Sequence, residues 1–251
     1  MESGLYAAYT GLLARTQALD TAANNLANAG TTGFRAQRDT FRSVLASGMS
    51  FDQRAAGQLG SQVGDSVNGF GVLGGSALDL GQGPMVSTSN PLDLAVNGAG
   101  FFAIQTAQGV RYTRDGAFQR SPDGVLQTQQ GEPVLDAQMQ PMTLPNGPVE
   151  VSPDGSVSVG SGVVSKLGVF NFAAGALRME GTNRMVAVDG ATSIASDATL
   201  KQGAVEGSNQ DAVHGTMQLI LVQRQAEMMQ KALSVFNNDF DKTAAEELGK
   251  V

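Results

Sequence analysis

The chain has no cysteine, no tryptophan and a single histidine, His214, among its 251 residues. Without cysteine there is no disulfide, no zinc–thiolate centre and no thiol nucleophile. One imidazole leaves no room for a His-based metal cluster or a histidine pair. Charge is scarce as well: Asp, Glu, Lys and Arg make up 16 % of the residues and sum to −7. An acidic balance opposes a phosphate-backbone binder, whose affinity comes from basic residues that release counterions. No run of ~18 or more apolar residues occurs, so no helix is expected to span a membrane. The opening residues, Met1-Glu2-Ser3-Gly4-Leu5-Tyr6, hold no basic n-region leading into an apolar stretch, and no cleaved signal peptide is expected.

Glycine, by contrast, is abundant, with 32 residues, well above the usual ~7 %. Hydrophobic residues still reach 41 %, enough at this length to bury a core. The two ends of the chain differ from its middle. Leu5, Tyr9, Leu12, Thr16, Leu19, Ala23 and Leu26 step by 4-3-4-3-4-3, a heptad seam with leucine at every seventh position. Gly30 and Gly33, with Thr31 and Thr32, supply a stop. Near the other end, Leu219, Val222, Ala226, Met229, Leu233, Phe236 and Phe240 step by 3-4-3-4-3-4, with Asn209 or Asp211 as candidate N-cap. Neither helix has a sequence neighbour to bury its stripe, and an isolated helix is marginal in water. The alanines of the first helix make it thin, which favours close approach by several partners.

The middle reads as β structure. Asn-Gly or Asp-Gly pairs at 68–69, 97–98, 115–116, 123–124, 146–147, 154–155 and 189–190 suit tight hairpin turns. Between them lie candidate strands at 92–96, 101–105, 110–113, 149–151, 157–159 and 167–172. The fold expected is α+β: long terminal helices packing as a coiled coil, with a central antiparallel, barrel-like β-domain. The divisions expected are 1–34 (N-terminal helix and signature), 35–84 (a Gly/Ser/Gln-rich connector), 85–207 (β-domain) and 208–251 (C-terminal helix and charged tail).

No catalytic or cofactor constellation stands out. Gly69-x-Gly71-x-x-Gly74 spells a dinucleotide fingerprint, but no helical stripe follows it and no βαβ pattern surrounds it. His214 lies at the start of the C-terminal helix, which suits a surface or interface residue better than a catalyst. The carboxylate pairs Asp239/Asp241 and Glu246/Glu247 sit in a polar tail, where a solvated acidic end is the simpler reading. Arg35, Arg38 and Arg42 recur at i, i+3 and i+7. On a helix they would share one face, read as solvated or salt-bridging between subunits, since no aromatics are interleaved for base stacking.

Tyr9-Thr10-Gly11-Leu12-Leu13-Ala14, followed by Ala23-Asn24-Asn25-Leu26-Ala27-Asn28-Ala29-Gly30-Thr31-Thr32-Gly33-Phe34-Arg35, resembles the N-terminal signature of the bacterial flagellar rod and hook family. The resemblance continues through residues 92–102 (LDLAVNGAGFF) and 112–118 (YTRDGAF), and closes with Gly203-Ala204-Val205-Glu206-Gly207-Ser208-Asn209 and Gln223-Arg224. It implies a non-catalytic axial protein with no cofactor and no metal. Such a protein is exported through the flagellar type III channel without a cleaved signal, and it assembles helically around a central channel in the rod of the basal body, in the periplasmic space. The partners implied are copies of itself, other rod proteins and, during secretion, the export apparatus, with no nucleic acid and no membrane insertion.

Carried onto this chain, the resemblance makes Leu5, Leu12, Leu19 and Leu26 the N-terminal assembly seam, with Leu219, Val222, Ala226, Met229, Leu233 and Phe236 its C-terminal counterpart. Asn24, Asn25, Asn28, Thr32, Gly33 and Phe34 match the family motif. The asparagines and glycines are expected to satisfy helix-end backbone groups and set the turn, and Phe34 to anchor the exit. The run from Asp239 to Val251 departs from the pattern. Compact length and Gly33-Phe34-Arg35-Ala36-Gln37-Arg38 point to the proximal-rod type, with the distal-rod type as alternative. A secreted β-rich adhesin is the alternative from another class.

Overall fold

The computed structural model describes residues 2–43 and 71–248. The chain divides into two units, one comprising Met1–Asn24, Arg38–Ala77 and Val213–Val251, the other Asn25–Gln37 and Leu78–Ala212.

The first unit carries the helices α1 (Glu2–Ala27) and α2 (Ala212–Leu248). Alanine-rich composition and the lack of proline favour α1; it stops where Ala29 N donates to Leu26 O and the chain turns through Gly30. In α2 the covered positions are Gly215, Leu219, Val222, Ala226, Met229 and Leu233, stepping 4-3-4-3-4. The run beginning at Asp239 continues α2 as far as Leu248.

The terminal helices do not pack as the expected coiled coil: the described residues hold these two helices and no long coiled coil is evident. The physical reason lies in α1. Its buried stripe is Gly11, Ala14, Ala18 and Ala22, while Leu12, Leu19 and Leu26 are only half-buried. Knobs-into-holes packing needs large side chains at the seam, and a glycine–alanine stripe has none to offer. The strands β1 (Gln37–Ser43) and β2 (Gly71–Leu78) pair with each other. Arg38 and Arg42 therefore lie on a strand rather than on a helical face, and Gly71 and Gly74 sit within β2 instead of opening a nucleotide-binding helix.

The second unit is β-rich, in line with the expected middle. Its strands are β3 (Met85–Ser87), β4 (Leu94–Asn97), β5 (Phe101–Thr106), β6 (Gly109–Thr113), β7 (Phe118–Arg120), β8 (Leu126–Thr128), β9 (Val149–Val151), β10 (Ser156–Val159), β11 (Gly162–Lys166), β12 (Val169–Asn171), β13 (Leu177–Glu180), β14 (Arg184–Ala187), β15 (Ile194–Ala195), β16 (Thr199–Gln202) and β17 (Ala204–Glu206). They do not form one closed barrel. A six-stranded sheet in the order β13-β14-β6-β5-β12-β15 stands open at both edges, beside a three-stranded β11-β10-β9 sheet and the pairs β16-β4, β17-β3 and β7-β8. All the ladders are antiparallel, the β10–β11 ladder carrying a bulge at Val157/Ser158.

Strand β5 is central because both of its faces are buried. Side chains alternate along a strand, so Phe102 and Ile104 enter one core with Leu94, Val96, Phe118, Leu126, Met142 and Leu144. Phe101 and Ala103 enter a second core with Tyr112, Leu135, Phe172, Leu177 and Met185. Edge-to-face ring pairs stiffen each core: Phe102 with Phe118 at 5.1 Å, and Tyr112 with Phe172 at 4.5 Å. Of the expected Asn-Gly and Asp-Gly turns, Gly116 is the informative exception. It has no positive φ, but a Cβ there would lie 1.7 Å from the Leu94 carbonyl oxygen. The backbone of β4 comes too close for any side chain.

Candidate functional site

The residues that match the signature do not end at the helix. They run from the last turn of α1 through a loop, residues 28–36, to the first residue of β1; this segment, 25–37, belongs to the β-rich unit, and each local feature has a physical cause. Asn25 is buried, and its amide pairs with the Gln37 backbone both ways: Nδ2 donates to Gln37 O at 2.8 Å, and Gln37 N donates to Asn25 Oδ1 at 2.9 Å. A side-chain amide carries a donor and an acceptor at the spacing of a peptide group, so Asn25 stands in for a strand partner and ties the loop's ends. Within the loop, Thr31 Oγ1 donates to Asn28 Oδ1. Asn24 lies exposed near the end of α1.

The loop then docks. Thr32 Oγ1 donates to Asp115 Oδ1 at 2.9 Å, and Gly33 N donates to the Glu206 carbonyl at 2.8 Å. Gly33 has φ +68°, and a Cβ on it would lie 2.2 Å from Asp115 N. Conformation and space both demand glycine here. Phe34 is 1 % exposed, a burial that favours docking by ~1.5–3 kcal/mol. Asn209 holds the far side: its Oδ1 accepts from Ala36 N at 2.7 Å, its own N–H donates to Phe34 O, and its Nδ2 donates to the carbonyls of Asp79 and Gly81. Asn209 is thus a clamp rather than a helix cap, and Asp211 is the residue that immediately precedes α2.

At the centre lies a buried ion triad. Glu206, fully buried, accepts from Arg35 Nη2 at 2.5 Å through Oε1 and from Arg114 Nη1 at 2.9 Å through Oε2. Gly83 N adds a third donor to Oε1 at 2.8 Å. Arg114 also donates to the carbonyls of Val96 and Gly98 and lies 5.0 Å over the Phe101 ring. Burial pushes the Arg114 guanidinium below its ordinary range, with the Glu206 carboxylate opposing that shift and Arg35 adding to it. Two guanidiniums share one carboxylate, and both Nε atoms, buried, lack a hydrogen-bond partner. Beside the triad, burial raises Asp115 above its ordinary 3.8, against the donors Ala117 N, Thr32 Oγ1 and Asn183 Nδ2 and with Asp93 adding repulsion.

Arg35, read from sequence as one of a solvated or inter-subunit face, is instead paired inside its own chain. Arg114, Asp115 and Glu206 lie within the stretches that carry the resemblance, yet no role could be read for them singly. The one signal present in the sequence was that Glu206 follows the apolar pair Ala204-Val205; Arg114, between Thr113 and Asp115, gave none. His214 is exposed on α2. Asp239, Asp241, Glu246 and Glu247 lie on α2, but their side chains, like those of Leu5 and Phe236, fall outside the described ones. Among the described residues no group of three or more His, Cys, Asp or Glu is placed to hold a metal ion, and no helix is long and apolar enough to cross a membrane.

The helices present a different surface. Along α2, Val213, Met217, Ile220, Leu221, Met228 and Val235 are exposed, Met228 by 61 %; along α1, Tyr9 and Leu13 are exposed by 50 % and 67 %. Exposed apolar residues in such density mark an interaction surface.

A family model described as "Flagella basal body rod protein" matches residues 5–35, and one described as "Flagellar hook protein FlgE/F/G D1 domain" matches residues 95–159. The chain is 35 % identical over 255 residues to the flagellar basal-body rod protein FlgF of Caulobacter vibrioides, covering 100 % of both chains. It is 33 % identical over 249 residues to FlgF of Escherichia coli K12, covering 91 % of this chain and 93 % of the relative. To the rod protein FlgG of Borreliella burgdorferi it is 29 % identical over 265 residues, covering 95 % of this chain and 96 % of the relative. A chain whose described residues hold a helix at either end, a β-rich middle and a signature loop docked in that middle thus meets relatives along its whole length: it belongs to the flagellar basal-body rod protein family.

Proposed function

We propose that this chain is a structural subunit of the flagellar basal-body rod, of the proximal type, and that it polymerises helically through its terminal helices around the export channel. The observation that carries the proposal is the exposed apolar side chains of α2 and α1, six of them on α2 alone. In a free chain they face water, and burying them against neighbouring subunits is the favourable term that drives assembly. A polar, open-ended polymer needs head-to-tail contacts, in which one surface meets a different surface of the next copy. The proposed seam, Leu12, Leu19 and Leu26 with Leu5 on α1, and Leu219, Val222, Ala226, Met229, Leu233 and Phe236 on α2, adjoins these exposed positions; Leu219 to Leu233 are the covered row of α2, so the surface offered to neighbours is that of Val213, Met217, Ile220, Leu221, Met228 and Val235. Its work is packing, without catalysis or cofactor. The partners are copies of itself and other rod proteins, with the export apparatus engaged before assembly, and the chain reaches the periplasmic rod with its N-terminus uncleaved.

The similarity to FlgF proteins supports the proximal type; the similarity to a FlgG protein keeps the distal type as the second reading. Detergent-extracted basal bodies test both. The chain is expected in the rod fraction, with rods truncated close to the inner membrane in a deletion strain. Truncation further out would select the distal type. Absence from the fraction, with motility intact in the deletion strain, would overturn the rod reading and favour a secreted β-rich binding protein.

A further inference from the structure

We propose that residues 25–37 form a self-tied segment that undocks from the β-rich body as one piece, before that body unfolds, and that the excess buried charge brought by Arg35 sets how readily it does so. The inference rests on the loop's geometry and stands whether or not the chain builds a rod. Three observations carry it.

First, the loop is closed on itself by the two Asn25–Gln37 hydrogen bonds, at 2.8 and 2.9 Å. It keeps its shape without help from the body. Second, its attachments are almost wholly polar and come from few residues: Asp115 holds Thr32, Glu206 holds Gly33 and Arg35, Asn209 holds Phe34 and Ala36, and Asp79 N donates to Ala36 O. Phe34 is the one large apolar side chain of the segment that is fully buried. Third, within the triad the charges do not balance while the loop is docked. Arg35 and Arg114 share the single carboxylate of Glu206, and each keeps a buried Nε without a partner. Release returns Arg35 to water and leaves Glu206 and Arg114 as a neutral one-to-one pair, still bonded to Gly83 N and to the carbonyls of Val96 and Gly98. Burying an excess charge is costly, and a shared carboxylate offsets it only in part. The docked state therefore holds a term that works toward its own release. The loop follows directly on α1.

Native-state hydrogen exchange on the dilute full-length protein tests the proposal, because the reporter amides are distinct. Gly33 N, Ala36 N and Asp79 N bond across the loop–body junction, whereas Leu135 N bonds to Ala103 O within the body. The three junction amides are expected to share one opening rate at least tenfold faster than that of Leu135, nearly insensitive to low denaturant, as a sub-global opening requires. Arg35→Gln, which removes the charge but keeps a donor toward Glu206, is expected to slow the shared rate at least threefold. Junction amides that exchange with Leu135, or at three unrelated rates, would overturn the loop as a unit. Faster junction exchange in Arg35→Gln would overturn the role of the charge. The wild-type rates decide the first point even if that variant folds poorly.

Discussion

At the scale of single residues, two positions in the signature loop carry sharp expectations. Gly33 combines a left-handed backbone with a Cβ position only 2.2 Å from Asp115 N. Gly33→Ala therefore meets conformational strain of ~1–2 kcal/mol and an overlap with backbone that cannot swing aside, costing another ~1–3 kcal/mol. Urea unfolding of the β-rich unit should show a loss of about 3 kcal/mol, and a variant within 0.5 kcal/mol of wild type would contradict the docking geometry. Asp115 makes a pH prediction. Burial raises its folded value above the ordinary 3.8, so the folded state favours the protonated acid. Its contribution is fully present below the ordinary aspartate range and is lost as pH rises through the raised value. Asp115→Asn cannot titrate, so the difference in stability between wild type and variant should shift in the variant's favour as pH rises from about 4 and then level off. A difference that is flat with pH would mean that Asp115 is not held above its ordinary value.

At the scale of elements, the proposed assembly surface lies on the helices and the packed cores lie in the sheets. Leu19 is half-buried on α1 and Met228 exposed on α2. Leu19→Asp is expected to abolish rod incorporation, while the far-UV circular dichroism and unfolding midpoint of the β-rich unit stay put. Met228→Glu, at an exposed position, should leave monomer stability within ~0.5 kcal/mol and still reduce incorporation into basal bodies. Motility preserved in both variants would remove the helix faces from the assembly surface. The coiled coil expected from heptad spacing illustrates how a period can mislead. Spacing places the leucines of α1 in a row, but it does not say whether that row or the neighbouring Gly11–Ala14–Ala18–Ala22 row is the better surface to bury. Small residues allow close approach, and the structure covers those. On α2 the same kind of spacing picks out the covered row itself, where Leu219, Val222, Met229 and Leu233 supply large side chains beside Gly215 and Ala226.

At the scale of the whole molecule, the two units should differ in order when the chain is free. The β-rich unit holds two packed cores on either side of β5, whereas α2 leaves large apolar residues in water. In a dilute monomer, amides of 3–28 and 212–240 are expected to exchange well before those of β5 and β6, and to gain protection on assembly. Equal protection in the free chain would mean the helices are already fully supported and that assembly adds no order. The open edges of the six-stranded sheet lie outside this prediction: β15 is short and β13 is bordered by glycines, both ways of blunting an edge.

How much was legible follows from which interactions are local. Helix-forming runs at both ends, hairpin glycines through the middle and the six candidate strands, found as β4, β5, β6, β9, β10 and β12, depend on neighbours within a few residues, so composition and period reveal them. Strands of two to four residues such as β3, β8, β15 and β17 leave no period to read, and β2 is hidden because a glycine-rich segment carries little pattern. The charged partners of the loop were not legible at all. Arg35 and Glu206 are 171 residues apart, and nothing along the chain says that Arg35, the first of the spaced arginines, turns its guanidinium inward. By itself the sequence determined the family, the helical ends, the β-rich middle and the absence of cysteine chemistry, since these rest on local pattern and composition. Only the tertiary structure decided that the signature is a docked loop, that its arginine shares a buried carboxylate and that the alanine row of α1 is covered, because each depends on which distant segments meet and on what burial does to a charge.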